Sequence, residues 1–209
     1  MIGASLMTMA SYELLIGTSN PGKVREIKFA LEGLPLMLRS LDEYGDLSVP
    51  VESGESYADN AIIKATDYAR QTGVCVLADD SGLEVDWLGG APGLHSARFG
   101  SGSDADRVEL LLAKLKGATN GGRQARFVSV VATVHPIMGV INVSEGECRG
   151  RITEAPLGSN GFGYDPVFIP EGYELTFGQL TNDVKSRISH RAKSLALARA
   201  FLTELLTTA

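Results

Sequence analysis

The chain has 209 residues, 44% hydrophobic and 21% charged, with a formal net charge of −6. That balance describes a soluble globular protein with a real core, in one large domain or two lobes sharing a sheet, and the negative charge argues against a nucleic-acid or anionic-membrane partner, because counterion release needs a basic face. Only Cys75 and Cys148 are present, which matches neither a disulfide framework nor a zinc cluster, so a reducing cytoplasm is the expected compartment.

Met1 to Ala10 is mildly apolar without a basic start, and is expected to be a disordered extension ahead of one domain over residues 11–209. No later stretch approaches the roughly 18–20 uninterrupted apolar residues of a membrane helix. Tyr12 to Gly17 is an apolar run ended by Thr18-Ser19-Asn20-Pro21-Gly22, a buried strand entering a turn. Val24, Ile27, Ala30, Leu31 and Leu34 then repeat at helical spacing, and Pro21 suits the first helical position, where its missing donor is not needed. Ser56 and Asp59 form a capping box for a second helix carrying Ala61, Ile62, Ala65, Tyr68 and Ala69, closed by Gly73. Val74 to Ala78 reads as a buried strand running into Asp79-Asp80-Ser81-Gly82 at its end. Gly89 to Gly102 is a glycine-rich but ordered loop.

Ser103 and Asp106 cap a third helix with Val108, Leu111, Leu112 and Leu115 on its apolar face. Arg126 to His135 alternates like a half-exposed strand, and Val140–Val143 and Glu147–Ile152 read as two more. A last helix follows Ser189, with Ala192, Leu195, Ala196, Arg199, Leu202 and Leu206 on a mixed face. Strands alternate with helices early and crowd together in the middle, so the fold class is α/β, a mixed sheet flanked by helices.

Several segments carry chemistry. Gly17 to Lys23 satisfies most of the GxxxxGK phosphate-loop pattern at a strand-to-helix junction, where free amides and the helix dipole favour an anion. Val24 stands where a P-loop has its magnesium-binding Ser or Thr, and the segment alone reads equally as a glycine turn with an exposed lysine. Asp79 and Asp80 would repel if both were ionised in a partly buried place, so a cation is expected with them, and magnesium suits carboxylates together with phosphate oxygens. An Asx turn is the plainer alternative. Glu52, before Ser53-Gly54, is a further candidate ligand. Gly158 to Pro166 packs glycines around Phe162, Tyr164 and Asp165; it fits a flat base with a hydrogen-bond acceptor beside it, or equally a tight turn closing the core. Lys185, Ser189, His190 and Arg191 cluster at the start of the last helix, where cations are disfavoured unless an anion lies among them. Arg98 and Arg126 are expected in ion pairs, and Trp87 and Met138 in packing. His95, His135 and His190 lack the elbow motif of a nucleophilic triad.

In order, the blocks TSNPGKVREI, ESGESYADNAIIKA, LADDSGLEVD, GGAPGLHSARF, GFGYDPVF and VKSRISHR resemble the Ham1-like inosine triphosphate pyrophosphatase family, from Leu14 to Leu202. The resemblance implies an elongated mixed sheet in two lobes with a central cleft, a cytoplasmic homodimer, and magnesium-dependent hydrolysis of ITP, dITP or XTP to the monophosphate and pyrophosphate. It implies that Thr18, Ser19, Asn20, Pro21, Gly22 and Lys23 bind the triphosphate, that Asp80 is catalytic and a metal ligand, and that Glu52 and, with less support, Asp79 share the metal. Ser81 would touch substrate, while Phe162, Gly163, Tyr164, Asp165, Lys185, His190 and Arg191 would form the base and sugar pocket. Tyr57, Asp59, His95 and Val184 depart from the usual residues of the blocks; His95 is the one that could alter the cleft. A P-loop ATPase or kinase is disfavoured by Val24, a Maf-type pyrophosphatase by the ISHR and FGYD blocks, and a non-enzymatic nucleotide sensor predicts binding without turnover.

Overall fold

A computed structural model describes residues 13–119 and 121–208; the extension expected over 1–10 lies outside the described residues. The elements in chain order are β1 (Glu13–Ile16), α1 (Pro21–Ala30), β2 (Met37–Ser40), α2 (Tyr57–Thr72), β3 (Cys75–Val85), α3 (Asp104–Lys114), β4 (Gln124–His135), β5 (Gly139–Ile152), β6 (Phe168–Pro170), α4 (Asn182–Ile188) and α5 (His190–Thr208). The six strands form one mixed sheet in the order β2-β1-β3-β4-β5-β6. Among the described residues, no helix is long and apolar enough to cross a membrane. The chain divides into two compact units, Met1–Asp80 with Val130–Glu145 and Ser194–Ala209, and Ser81–Ser129 with Gly146–Lys193.

In the first unit β1 runs parallel to both β2 and β3, with Leu15 opposite Arg39 on one side and Val76 on the other. A parallel strand covered on both faces needs apolar residues at every position, which explains the run Leu14-Leu15-Ile16. The two faces separate by parity. Leu15, Val76 and Ala78 pack with Ala61, Ala65 and Tyr68 of α2, whereas Leu14, Ile16 and Leu77 pack with Ile27 of α1 and with Leu195, Ala198 and Leu202 of α5.

Helix α1 starts at Asn20, whose side chain accepts from the amides of Gly22 and Lys23, with Pro21 in the first turn. Ser56 caps α2 by accepting from Asp59 N–H at 3.1 Å. Asp59 in turn accepts from the Ser56 hydroxyl, a side-chain pairing in place of the expected capping box, in which Asp59 would take the Ser56 amide. Gly73 ends the helix in the left-handed region at φ 72°, donating its N–H to Ala69 O, a conformation that a Cβ would strain. Ser56→Ala is expected to lower stability by about 1 kcal/mol, read as a reduced urea midpoint at unchanged slope.

The second unit is built around Leu83, Val85, Val108, Leu111, Leu115, Phe127, Phe168 and Phe177. Phe127 and Phe168 meet at 4.6 Å and 57°, and Phe168 and Phe177 at 5.5 Å and 21°. Strand β6 is antiparallel to β5, with Arg151 opposite Ile169. The capping box of α3 is complete, Ser103 and Asp106 exchanging hydrogen bonds in both directions.

Several sequence expectations are revised. Strand β3 does not stop at Ala78 but continues through the acidic pair to Val85, because lysines meet both carboxylates and the strand can stay buried. Alternation in β4 covers only its first residues; Phe127 to Val134 are buried on both faces. The two short strands expected after His135 are one, β5. The four-residue β2 and the seven-residue α4 were too short to show a period. Trp87 and Met138 are 51% and 59% exposed and so are not core residues. Met138 lies in the β4–β5 connection, where the amides of Ile137 and Met138 donate to His135 Nδ1.

Candidate active site

Adjacent residues of a strand point to opposite faces, and in β3 this separates the two acids. Asp80 shares the parity of Val76 and Ala78 and faces α2; Asp79 shares that of Leu77 and faces α1. Asp79 is fully buried and pairs with Lys23 Nζ of α1 at 3.1 Å. Asp80, 7% exposed, receives Lys64 Nζ on Oδ1 at 2.9 Å and Asn60 Nδ2 on Oδ2 at 3.2 Å, both from α2. Lys64 Nζ also donates to Glu52 Oε1 at 2.7 Å, and Asn60 Oδ1 accepts from Gly54 N–H at 2.9 Å. Glu52, Asp79, Asp80 and Lys23 are therefore gathered in the first unit, but the two aspartates approach from opposite faces rather than side by side at a strand end.

Burial pushes the Asp80 carboxyl above its ordinary range, opposed by the neighbouring Lys64 and Lys23. Burial also acts against the charge of Lys64, yet the fields of Asp80 and Asp79 and the bond to Glu52 outweigh it and hold its pKa up. Sequence reasoning missed Lys64 and Asn60. The signal was there: a Lys and an Asn four residues apart, interleaved with the apolar positions Ala61 and Ala65, are polar groups on a face that should be dry and so need partners.

The phosphate-loop segment departs from expectation in one respect. Its amides are not left open to an anion: Asn20 Oδ1 takes those of Gly22 and Lys23 at 2.9 and 3.1 Å, and Thr18 Oγ1 takes that of Asn20 at 3.2 Å. The Lys23 side chain and the hydroxyls of Thr18 and Ser19 are the remaining means of gripping a phosphate there, unless Asn20 turns aside.

In the second unit Asp165, Phe162, Lys185, Arg191 and Ser81 form a linked chain. Asp165, 2% exposed, accepts from Phe162 N–H at 2.8 Å and from Lys185 Nζ at 2.5 Å. The anion answering Lys185 is thus Asp165, and Lys185 belongs to α4 rather than to the start of α5. A Cβ on Gly161 would overlap the Asp165 carboxylate, which is why the turn needs glycine there. The Lys185 ammonium lies 4.6 Å from the Phe162 ring centre and the Arg191 guanidinium 5.6 Å. Arg191, itself 2% exposed, donates to Ser81 Oγ at 2.7 Å. His190 stacks on Phe127 at 4.6 Å and 12°. Tyr164 is buried with its hydroxyl on Ser96 O at 2.9 Å; burial pushes that phenol up to about 12, so it stays neutral. Gly163 N–H donates to Asp104 at 2.8 Å. Arg126 is ion-paired as expected, with Glu84 and Glu147.

Among the described residues, no group of three His, Cys, Asp or Glu side chains is placed to hold a metal ion. Asp80 and Glu52 nevertheless converge on one ammonium, and magnesium needs only one or two carboxylates, taking its other ligands from water and phosphate; the donor set fits that ion.

A model of the Ham1 family matches residues 14–201. The dITP/XTP pyrophosphatase of Deinococcus deserti is 46% identical over 90% of this chain and 88% of its own, and that of Bacillus licheniformis 42% over 92% and 98%. The solved Ham1 protein of Coxiella burnetii superposes with a TM-score of 0.83 at 34% identity, covering 92% of this chain and 98% of its own. The nucleoside-triphosphatase / dITP/XTP pyrophosphatase of Mycobacterium abscessus gives 0.72 at 41% identity, covering 89% and 98%.

Proposed function

The chain belongs to the Ham1 family, and from that premise we propose that it hydrolyses non-standard purine nucleoside triphosphates (ITP, dITP and XTP) to the monophosphate and pyrophosphate, clearing deaminated purines before a polymerase can use them. The observation that carries this reading is the buried carboxylate Asp80, drawn together with Glu52 around one cation. Its relatives named dITP/XTP pyrophosphatase supply the substrate class.

In this reading Asp80 orients or deprotonates a water for in-line attack at the α-phosphorus, and pyrophosphate leaves. Lys23, with the hydroxyls of Thr18 and Ser19, holds the polyphosphate and meets the charge that grows on the departing group. Asp80 and Glu52 hold Mg2+, with Asp79 a weaker third candidate because it is engaged by Lys23 across the strand. When bound, the metal supplies charge neutralisation and a more acidic water. Phe162 offers its ring to the base, and Gly163, Tyr164, Asp165, His190 and Ser81 shape the base and sugar contacts. Lys185 and Arg191 can only donate hydrogen bonds. A 6-oxo purine accepts from them, whereas the 6-amino group of adenine faces donors with a donor, a loss of about 1–3 kcal/mol per unmade bond.

Incubation with ITP, XTP, ATP and GTP in the presence of Mg2+ is expected to release pyrophosphate from ITP and XTP, with ATP slower by about tenfold or more; EDTA should stop the reaction and added Mg2+ restore it. Orthophosphate with a diphosphate product would overturn the reading, and binding without turnover would favour a nucleotide sensor. The same reading takes the protein to be a cytoplasmic homodimer. Its support is the family resemblance and the unbridged Cys75 and Cys148, whose thiols burial pushes up to about 11; sedimentation at twice the monomer mass checks the assembly.

A further inference from the structure

Lys64 is the polar centre of the first unit's acidic cluster, yet the hydrolytic reading assigns it no task. Its ammonium reaches Glu52 Oε1 at 2.7 Å and Asp80 Oδ1 at 2.9 Å, and its side chain is only 12% exposed. Glu52 sits in a stretch without regular structure, so nothing periodic in the backbone fixes it. Asp80 is fixed independently of the lysine. Asn60, 1% exposed, donates to its other oxygen, and the Asn60 amide is itself oriented by Gly54 N–H.

Three carboxylates, Glu52, Asp79 and Asp80, thus stand against two ammonium groups, Lys23 and Lys64. Lys23 pairs with Asp79. Lys64 is shared by two acids, at hydrogen-bonding distance from one oxygen of each, close to where a cation bridging those two oxygens would lie. Two cations cannot occupy that place together, and a lysine on a flexible four-carbon stem can withdraw where a shorter side chain could not.

We propose that Lys64 is a resident counter-ion: in the metal-free protein it holds Glu52 against Asp80, and it competes with the divalent cation for that pair. This rests on the reading of Glu52 and Asp80 as the metal-binding pair. The consequence is a site kept assembled before metal arrives, at the expense of metal affinity, with Asn60 keeping the Asp80 carboxylate aimed once the lysine withdraws.

The test uses the full chain and Mn2+ alone, without nucleotide, in the parent and in Lys64→Met, Lys64→Gln and Lys64→Arg. The Met and Gln variants are expected to bind Mn2+ about tenfold more tightly by calorimetric titration, to melt at a lower temperature when metal-free, and to recover more on adding metal than the parent does. Arg keeps the charge and should stay within about threefold of the parent affinity. The Gln variant keeps a donor without charge, so it carries the comparison if Met fails to fold. Unchanged or weaker Mn2+ binding in Met and Gln, with parent binding intact, would overturn the counter-ion role while leaving the metal pair standing. If neither parent nor variants bind Mn2+, the metal pair and this inference fall together.

Discussion

Asp80→Asn is expected to lower kcat/KM for ITP by about a hundredfold or more while the protein stays folded. The amide has the shape of the carboxylate and can still accept from Lys64, which keeps its bond to Glu52; its NH2 then meets the Asn60 donor, so that one bond is lost. What is lost is the negative charge that a metal needs and the basicity that a water needs. The fold should not miss that charge. Burial holds the Asp80 carboxyl above its ordinary range, so between the unfolded and folded pKa values the folded protein binds more protons than the unfolded chain, and above that window the ionised form detracts from stability. Pyrophosphate release measured beside circular dichroism and urea unfolding separates the two effects. Turnover within about threefold of the parent would remove Asp80 from the catalytic role.

Lys185→Met is expected to have the largest effect on stability, about 3–5 kcal/mol, because it removes an ammonium from a buried carboxylate. The pair is nearly sealed, with side-chain exposures of 6% and 3%. Phe162 N–H would remain as a donor to Asp165, but a neutral donor does not replace an ammonium at 2.5 Å. The double variant Asp165→Asn with Lys185→Met should be more stable than the single one, since it removes the buried charge as well. Urea unfolding of the four members of the cycle gives the coupling directly. A single variant within about 1 kcal/mol of the parent would mean that the pair does not anchor the Phe162 turn.

The parts of this molecule legible in the sequence are those where local chemistry and global structure agree. Pro21 starts α1, Ser56 and Gly73 bound α2, and Ser103 with Asp106 starts α3, because caps and breakers act over a few residues. Six ordered blocks made the family readable as well. What could not be read is what a partner decides. Strand β3 reads as finished at Ala78 because two acids follow, and partners distant in sequence, Lys23 and Lys64 among them, allow it to run on. The loop amides looked open because the Asn20 side chain was counted as a substrate contact and not as a cap. Lys64 and Asn60 went unnoticed for the converse reason: a helix read for its apolar stripe hides the polar residues set among it.

The opposed facing of Asp79 and Asp80 has a consequence for how natural variants of this protein would present. Two neighbouring codons for the same amino acid would give different defects. A lesion at Asp79 removes the partner of a buried lysine contact, and the cell would register it as missing protein, cleared by quality control. A lesion at Asp80 would leave normal amounts of an inert protein, a defect that an immunoblot would not register and that would show only as unhydrolysed nucleotide. Because a strand offers no way to turn one residue toward its neighbour's side, neither aspartate can act as a spare copy of the other.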